Sequence, residues 1–340
     1  MAPQSNPGPS PQPGLPSQYK PPKGGIFTIL PTSWVPYAEL MRLDRPAGYY
    51  AFYWHYIIGL SFAACIAVPP PTLSTLAIVA TYLAFWVLIL RGAVCTWNDN
   101  LDQSFDRKVT RTRFRPIARG AVSTVQAHVF TLFQLIVGTI MLIPLPAECS
   151  VYAGIMTIIL VIYPLGKRFT DFPQAILGLG FALPIFMCCA IFDSDPLLQS
   201  NAGSDPEMKS AHLTAALFLY FAGALWTMIF DTIYAHQDIN DDKKVGIRSL
   251  SVLLGGRTKP VLSILAAIQV ALLVAVGFKC QFSMVYFMGG CTGAAAALFT
   301  MLRFVNLQNP TSCAWWFGSC SRLVGGSIAV GLLLEYTLRL

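Results

Sequence analysis

Charge is what this chain has least of. Only 11% of its 340 residues are Asp, Glu, Lys or Arg, whereas 55% are hydrophobic and the mean hydropathy is +0.57. A soluble domain carries about twice that share of charge, so a water-soluble globular fold is excluded. The nine cysteines form no C-x-x-C pair, most lie inside apolar runs, and His55, His128, His212 and His236 are scattered. A structural zinc site needs clustered thiolates or His at ligand spacing; zinc is therefore excluded and the cysteines read as small buried hydrophobes. Arginine is missing before Arg42, and residues 1–36 are dominated by Pro, Gly, Ser and Gln, with Lys20 and Lys23 as their charges. That composition predicts a disordered Pro-rich tail rather than an Arg-rich import signal or an apolar secretory one. Targeting is expected to fall to the first membrane helix.

What the chain has in abundance is apolar runs long enough to cross about 30 Å of hydrocarbon. They fall near 47–68, 73–96, 125–146, 149–165, 172–193, 211–232, 259–278, 283–305 and 319–338. The expected fold is all-α, a polytopic bundle of about nine transmembrane helices around a central cavity. It occupies residues 37–340, with a first half of about 37–170 and a second of about 171–340. Nine crossings place Arg42, Arg45, Arg107 to Arg119, Lys167, Arg168, Lys243, Lys244 and Arg248 on one side, and only Lys209, Lys279 and Arg339 on the other. Such an excess marks the cytoplasmic face, or the matrix face of a mitochondrial protein. The same pattern accounts for the net charge of +7 without nucleic acid as a partner. Nothing in the sequence calls for an obligate protein partner.

Two acidic clusters stand out against this background, Asn98 to Asp106 and Asp231 to Asp242, both at the ends of apolar segments on the basic side. On a helix, Asn98, Asp102 and Asp106 recur every fourth residue and share one face; Asp238 and Asp242 repeat the step. Like charges repel where hydrophobic segments end unless cations join them. Oxygen ligands of this kind suit Mg²⁺ that bridges carboxylates to a substrate phosphate. Lys167 and Arg168, at the end of the fourth run beside Tyr163, supply the complementary charge for a diphosphate. Arg42 and Arg45 precede the first run on the same face, where they suit an anionic or phenolic acceptor. Arg91 lies inside the second run, an expensive place unless it faces the cavity.

Four separated motifs then carry a family resemblance: Arg42 to Gly48; Trp97 to Val109 with Arg113 to Ile117; Tyr163 to Gln174; and Asp231 to Ser249. The chain resembles the UbiA-type intramembrane aromatic prenyltransferases, in the branch of 4-hydroxybenzoate polyprenyltransferases and fungal meroterpenoid enzymes. The resemblance implies Mg²⁺-dependent transfer of a polyprenyl group, expected to be farnesyl, from an allylic diphosphate to an aromatic carbon of a polyketide-derived phenol or phenolic acid. It implies metal ligands Asn98, Asp102, Asp106, Asp238 and Asp242, and catalytic roles for Asp102, Asp238, Lys167 and Arg168. Arg42, Arg45, Asn98, Tyr163 and Tyr234 are expected to bind substrate. Arg45 stands where the family usually has Lys, which keeps the charge and alters contact geometry. The expected setting is the endoplasmic reticulum or another endomembrane, with the site facing the cytosol. The alternatives are a ubiquinone-pathway 4-hydroxybenzoate polyprenyltransferase in the mitochondrial inner membrane and, more remotely, a transporter with an ion site.

Overall fold

A computed structural model of the full chain describes residues 18–199 and 205–340, and among these there is no strand. The long helices are α1 (Ala47–Ile66), α2 (Leu73–Asp106), α3 (Thr124–Ile140), α4 (Ala147–Phe169), α5 (Pro173–Ile191, broken at Leu183), α6 (Pro206–Ala235), α7 (Thr258–Lys279), α8 (Met284–Phe304) and α9 (Pro310–Arg339). Among the described residues seven helices are long and apolar enough to cross a membrane, α7 being counted with the short helix before it from Leu250. The two expected spans that fall short are α1, twenty residues interrupted by Tyr, Trp and His, and α3, seventeen residues long. Outward-facing Ile78, Phe85, Phe133, Ile158 and Phe299 are exposed apolar residues of the kind that lipid solvates.

Several boundaries differ from the sequence expectation for identifiable reasons. The second run continues ten residues beyond 96, so α2 carries the whole first acidic cluster in helical form. At 34 residues it spans about 51 Å, well beyond the hydrocarbon, so its polar end projects toward the interface. Thr72 caps its other end by accepting from the Thr75 amide. The third run stops at Ile140, short of Pro144, and starts with a reciprocal capping box between Ser123 and Gln126. The fourth continues to Phe169 despite Pro164, which carries Lys167 and Arg168 on helix. The ninth starts at Pro310, nine residues earlier than expected.

Of the expected tail, residues 1–17 lie outside the described residues. Within the described part of that segment, Tyr19 donates to Glu39 and lies under the Arg119 guanidinium, 3.9 Å from the ring centroid. Gly25–Thr28 forms a single 3₁₀ turn.

The bundle packs α1 against α9 and α5, α6 against α7 and α5, and α2 against α3. Close approaches depend on glycine, as in other membrane bundles. A π-helical turn at Phe287–Cys291 brings Gly290 against Gly331 of α9, where a Cβ would lie 2.5 Å from the Gly290 amide nitrogen. Gly331→Val should cost about 1–3 kcal/mol through overpacking, read as a lower unfolding temperature in detergent. Gly154→Ala, whose Cβ would meet nothing within 4 Å, should leave that temperature unchanged; equal behaviour of the two variants would contradict this packing.

Candidate active site

A cavity of about 510 Å³ opens among the basic-side ends of the helices. Asn98, Asp102 and Asp106 line it from the last turns of α2, as their four-residue spacing predicts. Opposite them, α6 ends at Ala235, the chain turns, and a short helix Ile239–Val245 closes on Gly246 in the left-handed conformation, φ +76°. That reversal carries Asp238 and Asp242 to the cavity wall. Arg42, Arg45, Tyr163, Lys167 and Tyr234 line the same space, so the structure brings together every expected site residue except Arg168. Arg168 turns away from the lining, donates to the Leu101 carbonyl at 2.9 Å and lies over Phe105. These contacts join α4 to α2.

The carboxylates are held apart by the chain's own cations. Lys167 Nζ lies 2.7 Å from Asp102 Oδ2. Arg115 Nη1 is 3.0 Å from both Asp106 Oδ2 and Asp99 Oδ1, and Arg42 Nη2 is 2.5 Å from the same Asp99 oxygen. Arg111 grips Asp238 with Nε at 2.9 Å and Nη2 at 2.5 Å, and donates to the Tyr234 hydroxyl at 3.1 Å. Burial opposes the Arg111 charge, but Asp238, Tyr234 and Asp106 together hold its pKa well above the ordinary value; Asp106 and Asp99 do the same for Arg115. Among the described residues Asp242 is in no ion pair, although Lys167 and Arg111 lie within electrostatic range. Burial first, and then the Asp238 charge, push its carboxyl up to about 7.

Three of these residues are marked out only by the structure. Asp99, fully buried and outside the cavity lining, is the shared anchor of Arg42 and Arg115. Arg111 and Arg115 are the cavity-lining cations of the basic loop, whereas Arg107 bonds Ala118 and Gln103, and Arg119 bonds Glu39. A spacing of four links Arg107, Arg111, Arg115 and Arg119 alike, so the sequence carries no signal that separates the middle pair from the outer one. Arg91 faces the cavity and donates to the carbonyls of Met41, Arg42 and Arg45, which satisfies its charge and fixes the loop that presents Arg42. Arg42 itself has φ +59°, a conformation that costs energy in a non-glycine residue and here aims its side chain at Asp99. Gly48 leaves room for Arg91, whose Nη2 would lie 3.1 Å from a Cβ there.

Two further clamps set the mouth. The Thr110 amide donates to Asp241, joining the basic loop to the second acidic segment. Arg248 pairs with Asp171 at 2.7 Å, its amide donates to the Lys167 carbonyl, and Gln174 accepts from the Leu250 amide. Deeper in, the walls become apolar: Phe52, Leu160, Leu177, Phe181, Phe230 and Phe317. A space with oxygen donors and cations at one end and hydrocarbon at the other fits a molecule with an anionic head and a long apolar tail.

The UbiA prenyltransferase family signature matches residues 53–324. The chain belongs to that family. Prenyltransferase ascA of Acremonium egyptiacum is 35% identical over 322 residues, covering 94% of this chain and 90% of that protein. The mitochondrial 4-hydroxybenzoate polyprenyltransferase of Saccharomyces cerevisiae is 36% identical over 325 residues, 93% and 80% of the two chains. The DMOA farnesyltransferase nvfB of Aspergillus novofumigatus is 39% identical over 231 residues, 68% of each. A UbiA homolog from Archaeoglobus fulgidus, solved bound to GPP and Mg²⁺, shares the fold with a TM-score of 0.61 at 18% identity, covering 88% of this chain and 99% of that one. This chain is accordingly an integral membrane prenyltransferase.

Asp99 offers a test of how the charges are arranged in this prenyltransferase. Asp99→Asn removes the shared acceptor of two buried cations and should destabilise the fold by about 1.5–3 kcal/mol. Freed, Arg42 and Arg115 should raise the concentration of prenyl diphosphate needed for half-maximal rate. An unchanged unfolding temperature together with an unchanged half-saturation concentration would refute the anchoring role.

Proposed function

We propose that this prenyltransferase moves a farnesyl group from its diphosphate, held through Mg²⁺, to a ring carbon of a polyketide-derived phenol or phenolic acid in meroterpenoid biosynthesis. The observation that carries this reading is the division of one cavity into a carboxylate-and-cation end and an apolar end. The farnesyltransferase relative supports the donor, and the A. fulgidus homolog supports the diphosphate and the metal.

The residues present fit Mg²⁺. Among the described residues no three His, Cys, Asp or Glu side chains converge as a complete metal cage. Mg²⁺ does not need one, because it keeps waters and takes one or two carboxylates together with substrate phosphates. Asn98, Asp102 and Asp106 would hold one ion and Asp238 with Asp242 another. The bound metal would draw off the charge that develops on the departing diphosphate. Lys167, Arg111 and Arg115, now paired with carboxylates, are placed to turn toward the same phosphates. Arg42 and Arg45 at the mouth suit an acidic acceptor. The apolar walls keep water from an allylic cation, which water would quench, and the faces of Tyr163, Tyr234 and Phe317 would stabilise it.

We infer that α1 and α3 also cross the bilayer, which gives nine spans. The basic loops then lie on the cytosolic side of an endomembrane, the distribution that the positive-inside rule favours. The yeast relative supports a second reading, transfer to 4-hydroxybenzoate in ubiquinone synthesis.

Membranes containing the protein, incubated with Mg²⁺, prenyl diphosphates of several lengths and a panel of phenolic acids that includes 4-hydroxybenzoate, should yield a farnesylated phenolic acid by mass analysis. Asp102→Asn and Asp238→Asn should each lose at least about 10²-fold in rate while remaining folded in the membrane. Mg²⁺-dependent transfer retained in both variants would sink the site assignment. Product formed only from 4-hydroxybenzoate would select the second reading.

A further inference from the structure

The cavity's carboxylates are not equivalent. Asp102, Asp106 and Asp238 each bind a cation of the chain, and Asp242 sits beside Asp238 at the mouth. Asp231 also lines the cavity, yet among the described residues it makes no hydrogen bond and no ion pair. It shares the cavity face of α6 with Tyr234 and Ala235, at the steps of three and four that place residues on one side of a helix. Four residues before the helix end, it lies about 6 Å deeper than Ala235, next to Phe230 and within electrostatic range of Tyr163, Lys167 and Arg111. A carboxylate with free lone pairs inside a membrane bundle is expensive to keep and marks function more often than packing. The metal and diphosphate contacts described above do not use it.

Its depth puts it where the diphosphate end gives way to the apolar end, which is where the reacting carbons must meet. Prenyl transfer forms a bond between C1 of the donor and a ring carbon, while the C1–O bond breaks and its electron pair leaves with the diphosphate. The ring carbon then bears both the prenyl group and its original hydrogen. Aromaticity returns when that proton leaves and the C–H electron pair goes back into the ring. The departing diphosphate is a poor acceptor for it, because the cations that hold a phosphate also lower its basicity. We propose that Asp231 takes the ring proton. This assignment rests on transfer to a ring carbon as proposed above, and it gives Asp231 a function, that of catalytic base, separate from the metal-binding role proposed for the other carboxylates.

The test uses the full chain in membranes with Mg²⁺, farnesyl diphosphate carrying heavy oxygen at the bridging position, and the phenolic acid that the wild-type protein prenylates best, protonated or deuterated at the reacting carbon. Failure of the wild-type protein to prenylate any phenol would refute the proposed function and this assignment with it. With an active wild type, Asp231→Asn should lower transfer by about 10²–10⁴-fold, while the bridging oxygen still scrambles into the non-bridging positions, showing that ionisation continues. A deuterium isotope effect on transfer larger than that of the wild type should appear in the same variant, and Asp231→Glu should recover part of the rate. Equal loss of scrambling and transfer would assign Asp231 to donor activation and overturn the proposal. Transfer within about threefold of wild type, without an added isotope effect, would overturn it in favour of the diphosphate. If Asp231→Asn does not accumulate in membranes, the glutamate variant carries the test: a slower transfer with an enlarged isotope effect supports the assignment, and a wild-type isotope effect overturns it.

Discussion

Carboxylates cannot gather at the edge of a membrane without cations, and the basic-side half of this prenyltransferase is built around that constraint. Six Asp side chains of the two clusters, Asp99, Asp102, Asp106, Asp238, Asp241 and Asp242, are buried. Left alone they would repel one another and destabilise the helix ends that carry them. Lys167, Arg42, Arg111 and Arg115 offset that repulsion, and each comes from a different segment or turn: the α4 terminus, the loop before α1, and two turns of the loop after α2. Charge neutralisation therefore also does the architectural work of joining distant parts of the chain. The Arg248–Asp171 pair and the Thr110–Asp241 hydrogen bond extend the same joining to the mouth.

The same arrangement prepares the site for its ligand. Under the proposed function, Lys167, Arg111 and Arg115 would become available to phosphate oxygens once divalent metal occupied Asp102, Asp238 and Asp106, so binding would exchange one set of charge pairs for another rather than create charge in an apolar cavity. Asp242, in no ion pair among the described residues, has its carboxyl pushed up by burial and by Asp238. Asp231 stands outside this exchange, deeper and unpaired, which is why its role differs from theirs.

Much of this was legible in the sequence because it rests on local periodicity. Asn98, Asp102 and Asp106 reach one wall because α2 stays helical to Asp106, and a four-residue spacing says as much. Runs of apolar residues located the helices, although not the ends, since α2 and α9 extend past the hydrocarbon, where hydropathy is silent. The rest depends on long-range pairing. Lys167 and Arg168 are adjacent in sequence, but one faces the cavity and the other an inter-helix carbonyl, a distinction set by the direction in which α4 meets α2. Asp99 is one residue from cavity-lining Asn98 yet lies outside the lining, and its partners are fifty-seven and sixteen residues away. No spacing rule separates Arg111 and Arg115 from their basic neighbours with the certainty that their contacts do.

Under the proposed function the two acidic clusters hold a diphosphate through divalent metal. Binding of a non-ionising farnesyl thiodiphosphate to the purified protein, followed by thermal unfolding with and without Mg²⁺, tests it most directly. At a ligand concentration about a hundredfold above the dissociation constant, stabilisation should reach about 2.7 kcal/mol in Mg²⁺ and vanish with a chelator. Equal stabilisation in the chelator would mean that Lys167, Arg111 and Arg115 hold the diphosphate unaided, and would rule out metal-mediated binding.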